Sequence, residues 1–427
     1  MTLPRCIQAE SETISALKSA ASRRRSRYLS LLRIAGALSI VAYHVEVPFS
    51  NSAWIAVDMF FVLAGMNLAR VLDGDQSIYS YAVSRVERLG PQMLVIWCVA
   101  VVSVLAGSGS PGIIWFITVG PVFLHNLAQP FFGYTFPNDW IFGSLWFVAA
   151  LMQLQLLAFG LRKVLLRTRP DIVLVAAVGI AISFRTLFTV LVAQNPASLA
   201  SREAGLLYVL PLTHLEALIL GLLIGRGALP QIGRLLPLFC VLAISLVAIN
   251  MARSPGEVSG AIRTALGLNF SYPLGLHYAH IWGYSVIAFA AASLVSPTGR
   301  LAVATEKLPL PGWTDNVFVA LASLTYGVYA FHGLFLATNL NASTLLARPH
   351  APGLRLLLFA ITAVEAFLLA WVFQRMMEGL KQLQWLRILA RSATQGRKRE
   401  MAEAVLTAGG ENGSSREGHL LVRQPDV

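Results

Sequence analysis

The chain reads as an all-α, polytopic membrane protein: a bundle of about ten transmembrane helices with both termini in the cytoplasm. Three observations predict it. Hydrophobic residues make up 56% of the 427 positions and charged residues only 13%, and the mean hydropathy of +0.65 lies far from that of a soluble domain. Apolar runs of about 20 residues, the length that crosses a hydrocarbon core, recur from position 29 to position 373. Cations gather in alternate short connections between those runs, as the positive-inside rule describes. A formal charge of +12 would suggest nucleic acid as partner in a soluble chain; here it reads as topology, and no nucleic-acid role is expected.

Residues 1–28 form a polar segment ending in Arg23, Arg24, Arg25 and Arg27, expected in the cytoplasm. The run 29–49 is longer than a signal-peptide core and lacks a small-residue cleavage site, so it is expected to persist as a first helix running outward. Further spans are expected near 52–71, 90–106, 141–161, 172–193, 206–225, 235–251, 278–295, 316–339 and 354–376. The apolar stretch 113–127 is short and interrupted by Gly120 and Pro121. If it crossed, Arg162, Lys163, Arg167 and Arg169 would face outward. As a re-entrant or interfacial segment it leaves them inside with Arg70, Arg85, Arg88, Arg226, Arg234, Arg300 and Lys307, which is the expected arrangement. The membrane domain is thus placed at 29–380, followed by a basic, largely disordered cytoplasmic tail at 381–427. Cys6, Cys98 and Cys240 have no metal-ligand spacing, so neither a disulfide framework nor a metal is expected.

Ionisable residues inside the spans are the candidates for chemistry. Arg33 and His44 are eleven residues apart, three turns, so they share a face of the first helix about 16 Å apart along its axis. Gly36 and Ala37 between them leave room for a slender substrate arm or for another helix. The competing reading has Arg33 snorkelling to headgroups and His44 packed as a core histidine. Asp58, early in the second helix after a tight connection, is expected to approach His44 and fix its tautomer, or else to cap its own helix. Arg85 and Arg88 lie one turn apart where the third helix starts; they suit phosphate groups, although topology alone also predicts cations there. Arg185, His214 with Glu216, and Glu365 should face the bundle interior, pairing with one another or lining a substrate path, and His332 is a further candidate for that path.

Taken together these stretches resemble a known family. Leu32-Arg33-Ile34-Ala35-Gly36-Ala37-Leu38 through His44, then Val57-Asp58-Met59-Phe60-Phe61-Val62-Leu63-Ala64-Gly65, then Arg85-x-x-Arg88 with Pro91, is similar to the opening of the membrane acyltransferase-3 family of bacterial O-acyltransferases. Ser144 to Phe147, Leu220-Gly221, Ser323 to His332, and Phe373 to Glu378 extend the resemblance over roughly 29–380. It implies a ten-helix inner-membrane enzyme that takes an acyl group, usually acetyl, from cytoplasmic acyl-CoA. The acceptor would be a hydroxyl of a surface or exported glycan, either the carbohydrate itself or a lipid-linked form. Arg33, His44, Arg85 and Arg88 carry over as functional positions. Two departures bear on the acceptor more than on the donor: relatives carry Ser-x-x-x-Glu where Trp146 is followed here by a run ending in Gln153 with no acid, and Glu378 is followed by Gly379 and Leu380 rather than closely by proline.

The mechanism expected on this basis places the CoA phosphates near Arg85 and Arg88 with Arg33 at the entrance. The pantetheine arm follows helix one to His44, which acts as general base or carries the acyl group briefly. Two rivals come from other classes. A transporter or flippase of a glycan or lipid-linked precursor would show no acyl-CoA dependence, and a non-catalytic membrane component would leave His44 dispensable.

Overall fold

The structure is a computed structural model that describes residues 27–45, 47, 50, 53–106, 117–127, 145–193, 207–238, 241–242, 245, 279–339 and 352–410. Every regular element among them is helical and none is a strand. In chain order they are α1 (27–44), α2 (Ala56–Leu72, entered through a 3-10 turn at Ala53–Ile55), α3 (Ile78–Leu105), α4 (Trp146–Gly160), α5 (Arg162–Arg167) and α6 (Pro170–Ala193). There follow α7 (Leu215–Gly225, entered through a 3-10 turn at Pro211–His214), α8 (Ala279–Val295), α9 (Arg300–Glu306), α10 (Gly312–Asn339) and α11 (Pro352–Gly410).

Helices occupy the described part of each stretch expected to span; in 235–251 only 235–238, 241–242 and 245 are described, and these are helical. Five of the stretches, Ala53–Leu72, Pro170–Leu191, Ile281–Thr305, Gly312–Leu336 and Gly353–Gln382, are long and apolar enough to cross a membrane; Trp146–Gly160 and Pro211–Gly225 are apolar but shorter. Local chemistry sets several of the boundaries. The Ser77 side chain accepts from the Ser80 amide and caps α3, and Pro170 opens α6, where its missing N–H costs nothing.

The tightest helix pair is α2 against α7. A Cβ at Gly65 would lie 2.0 Å from the Leu218 carbonyl oxygen, and one at Gly221 would lie 1.9 Å from the Val62 carbonyl oxygen. Gly225 meets Ala69 and Met66 in the same way, one turn further on. Because Val62 meets Gly221, Gly65 meets Leu222, and Met66 and Ala69 meet Gly225, the two helices run parallel with backbones in contact, as small residues permit where lipid offers no hydrophobic drive. Gly36 of α1 sits against Met59 and Phe60 on a different face of α2. Of the two uses expected for that small residue, the structure adopts the packing of a helix.

One end of the unit is knit by its connections. Arg27 forms a two-pronged ion pair with Asp315 in the first turn of α10 and donates to the Leu308 carbonyl. Arg162 donates to the Gln76 carbonyl, Arg226 to that of Leu165, and Thr298 to that of Pro230. The start of α1, the ends of α2, α4, α7 and α8 and the starts of α3 and α10 therefore share this end, which carries Arg70, Arg85, Arg88 and Arg162. α3 leaves this end and α4 returns to it, with a long connection between them. The described part of that connection, 117–127, is a broken element: a 3-10 turn at Gly120–Val122, then Phe123 in the left-handed region at φ 57°.

Contacts divide the chain into Met1–Ala370 and Trp371–Val427. In the second, α11 continues to Gly410. From 381 to 408 the sequence is rich in Ala, Leu, Gln, Glu, Lys and Arg, has no proline and only Gly396 as a breaker, and so propagates a helix despite its charge. Residues 411–427 lie outside the described residues.

Candidate functional site

Three clusters of polar side chains stand out in the first unit. At the knit end, Arg70 of α2 and Arg88 of α3 come close enough to Arg33 of α1 for their charges to act on it, and Arg85 acts likewise on Arg88. Among the described residues none of Arg33, Arg70 and Arg88 is in an ion pair. Tyr326 of α10 lies beside Arg88 and donates to the Leu89 carbonyl. Arg85 turns to α4 instead: its guanidinium lies 4.7 Å over the Tyr81 ring, which stacks at 4.2 Å on Phe159, with Arg162 4.5 Å over the other face of that ring. The expected Arg33, Arg85 and Arg88 thus share one end of the unit, and Arg70, read from sequence only as a topology cation, joins them. Three like charges on three helices, with no acid paired to them among the described residues, are of a chemistry that suits a polyanion.

Further along the same α1 face lies His44. The ring beside it is that of His332 on α10, with centroids 5.0 Å apart, and the Tyr43 ring lies edge-on to it at 5.2 Å. His332 is buried, and its Nδ1 lies 2.6 Å from the Tyr329 carbonyl oxygen one turn back. Tyr329 in turn packs against Phe147 of α4. Tyr326, Tyr329 and His332 therefore accompany α1 from the arginines to His44.

The expected approach of Asp58 to His44 is not what the structure contains. Asp58 Oδ1 lies 2.7 Å from His214 Nδ1, while His214 Nε2 lies 2.7 Å from the Tyr208 carbonyl oxygen. The cause is the face of the helix. Asp58 begins the stripe 58, 62, 65, 69 that faces α7, whereas α1 packs on Met59 and Phe60 about 100° to 200° around the axis. Nor does the Asp58 side chain cap α2. A carbonyl only accepts, so His214 Nε2 carries a proton, and one further proton lies between Nδ1 and the carboxyl. Both ring nitrogens are engaged, and the ring is clamped between Phe61 and Trp146; His214 and Asp58 hold each other in place.

Next to them, Arg185 of α6 and Glu216 of α7 form an ion pair at 2.7 Å with both side chains fully buried. Ser285 of α8 accepts from Arg185 and donates to the second Glu216 oxygen, and Arg185 Nε donates to the Ala181 carbonyl. Of the two roles expected for Arg185 and Glu216, pairing with one another is the one their geometry expresses. The departure at Gln153 also finds a use. Its amide nitrogen donates to the Phe123 carbonyl at 2.7 Å and to the Asn126 side-chain oxygen at 2.8 Å, and Asn126 donates onward to the Val209 carbonyl. An amide there fastens the broken segment to α4; a carboxylate could not donate either bond.

Comparison with known proteins now decides the family. A family model described as an acyltransferase domain matches residues 26–375, which takes in all three clusters. The chain belongs to the acyltransferase-3 family. No curated protein and no solved structure matches it. As a family member the chain is an acyltransferase, with an acyl donor and an acceptor as substrates. Among the described residues no group of three His, Cys, Asp or Glu is placed to hold a metal ion. Cys98 is a free, exposed thiol, and Cys6 and Cys240 lie outside the described residues.

Proposed function

We propose that this acyltransferase moves an acyl group, acetyl in the first instance, from acyl-CoA to a hydroxyl of a surface or exported carbohydrate, working in the bacterial inner membrane through about ten spans with both termini cytoplasmic. The observation that carries the reading is α1 itself. It bears Arg33 at one end, among arginines that are in no ion pair among the described residues, and His44 three turns further along. CoA presents phosphates at one extremity and a thioester at the tip of a long pantetheine arm, and this helix offers matching groups in the same order. Arg33 and Arg88, with Arg85 and Arg70 beside them, would hold the phosphates through charge-assisted hydrogen bonds. That end then faces the cytoplasm, where its cations belong.

On this reading His44 takes the proton of the acceptor hydroxyl as its oxygen attacks the thioester carbonyl carbon. The C–S bond breaks, and the proton passes to the departing thiolate. A route in which His44 carries the acyl group itself would leave labelled protein when acyl-CoA is supplied without acceptor; direct transfer leaves none. The test is transfer of radiolabelled acetyl from acetyl-CoA to glycan in membranes containing this chain, with His44→Ala at matched abundance. Label that reaches glycan and is lost in the variant supports the reading. Absence of transfer with every short acyl-CoA, or transfer indifferent to His44, refutes it.

A further inference from the structure

His332 is the one buried titratable side chain beside His44 that the scheme above leaves without a task. Its Nδ1 faces the Tyr329 carbonyl oxygen at 2.6 Å, and because a carbonyl accepts and never donates, Nδ1 carries the ring proton. The neutral imidazole then has a single lone pair, on Nε2, at the edge of the ring away from its own helix backbone. Tautomer and ring orientation are both set by one short hydrogen bond inside α10, independently of substrate. The neighbouring ring is His44, with centroids 5.0 Å apart and planes tilted by 38°. A general base needs a hydrogen-bond acceptor behind it to decide which of its nitrogens holds the lone pair. The carboxylate best placed by sequence for that task, Asp58, is committed to His214 on another face of α2.

We infer that His332 is the positioning residue for His44: in the substrate-loaded site its Nε2 accepts the N–H of His44, which leaves the other His44 nitrogen with its lone pair toward the acceptor hydroxyl. When His44 takes the acceptor's proton, the resulting imidazolium keeps that N–H directed at His332, and the proton then leaves for the thiolate, so His332 ends the cycle as it began. This assignment rests on the proposed acyl transfer and adds to it the group that orients the base.

The test separates orientation from packing. Asparagine at 332 can keep a donor near the Tyr329 carbonyl but offers nothing at the Nε2 position, whereas glutamine places a polar atom close to that position. His332→Asn is expected to lose kcat by about 100-fold, as removal of acid–base assistance does, with the donor KM and the thermal midpoint unchanged, and His332→Gln is expected to retain more turnover than His332→Asn. In the His44→Ala background His332→Asn should cause no further loss, because it acts only through His44. Wild-type turnover in His332→Asn, or a loss that tracks a lowered thermal midpoint and adds to that of His44→Ala, overturns the inference while leaving the acyl transfer intact. An inactive wild type sinks the functional reading, and this assignment with it.

Discussion

Removing one member of the Arg185–Glu216 pair while keeping its shape gives the sharpest test of how the interior is braced. Both side chains are fully buried, and the 2.7 Å contact is completed by Ser285, which touches both partners. Arg185→Met leaves the Glu216 carboxylate with the serine hydroxyl alone, and breaking a buried pair in this way costs about 3–5 kcal/mol. Glu216→Gln leaves the guanidinium charge uncompensated and should cost a similar amount. The double variant removes both charges at once, and replacing a buried pair with matched neutral or apolar groups is often close to neutral. A large favourable coupling is therefore expected: each single variant lowers the thermal midpoint of the detergent-purified protein by roughly 10 °C, and the double variant recovers most of it. If the pair only braces α6, α7 and α8, acetyl transfer by the double variant should recover as well. Additive losses would refute the argument that the two charges serve each other. A double variant that regains its stability yet stays inactive would return Arg185 and Glu216 to the substrate path.

Three further outcomes follow from particular contacts. Gly221→Ala puts a methyl 1.9 Å from the Val62 carbonyl oxygen, whereas a methyl at Gly179 meets nothing within 4 Å; the first should destabilise by about 1–3 kcal/mol or more, and the second should stabilise by roughly 0.5–1 kcal/mol through helix propensity, as read by thermal midpoints side by side. Gln153→Glu exchanges two donated bonds for a carboxylate facing two oxygens, and should cost about 1–3 kcal/mol and speed proteolysis within 117–127, with Gln153→Asp no better. Arg33→Ala, Arg70→Ala and Arg88→Ala should each raise the donor KM by about tenfold or more, the worth of one charge-assisted bond, and should narrow the preference for acetyl-CoA over acetyl-pantetheine, which lacks the nucleotide phosphates. An unchanged preference would detach these arginines from the donor.

Much of the fold was legible because its causes are local. Apolar length marked the helices, and the Gly120-Pro121 interruption marked the segment that breaks. The placement of Arg33 and His44 on one face needed only helical geometry. Partner choice was harder to read, because α2 is apolar almost all the way round and its pattern does not say which face meets which neighbour. Proximity through a short connection suggested His44 as the partner of Asp58. The decisive mark was Gly65, two turns beyond Asp58 on the same stripe: a glycine in mid-helix signals a close neighbour, and that neighbour is α7, which brings His214. Arg70 was hidden for another reason, since a cation that topology already explains carries no signal of a second role.

The polar groups of the interior therefore divide by helix. Where α2, α6, α7 and α8 meet, Arg185 is matched by Glu216 and His214 by Asp58, and α2 and α7 are drawn into backbone contact by glycine. Along α1, α3 and α10 the pattern reverses: among the described residues Arg33 and Arg88 are in no ion pair, and two imidazoles lie ring to ring. Neutralised charges on one side and uncompensated ones on the other are what a transfer enzyme in a membrane needs. Reacting groups must be held to a fraction of an ångström, and in a bilayer polar contacts between helices can supply that rigidity. Charges meant for a substrate must stay unmatched until it arrives. The α2–α7 side is the frame that fixes Phe61 and Trp146, and through Phe147 it reaches Tyr329, whose carbonyl sets His332. A substitution in that frame that moves Phe147 without unfolding the bundle should thus reach the reaction through His332 and lower kcat before it changes the donor KM.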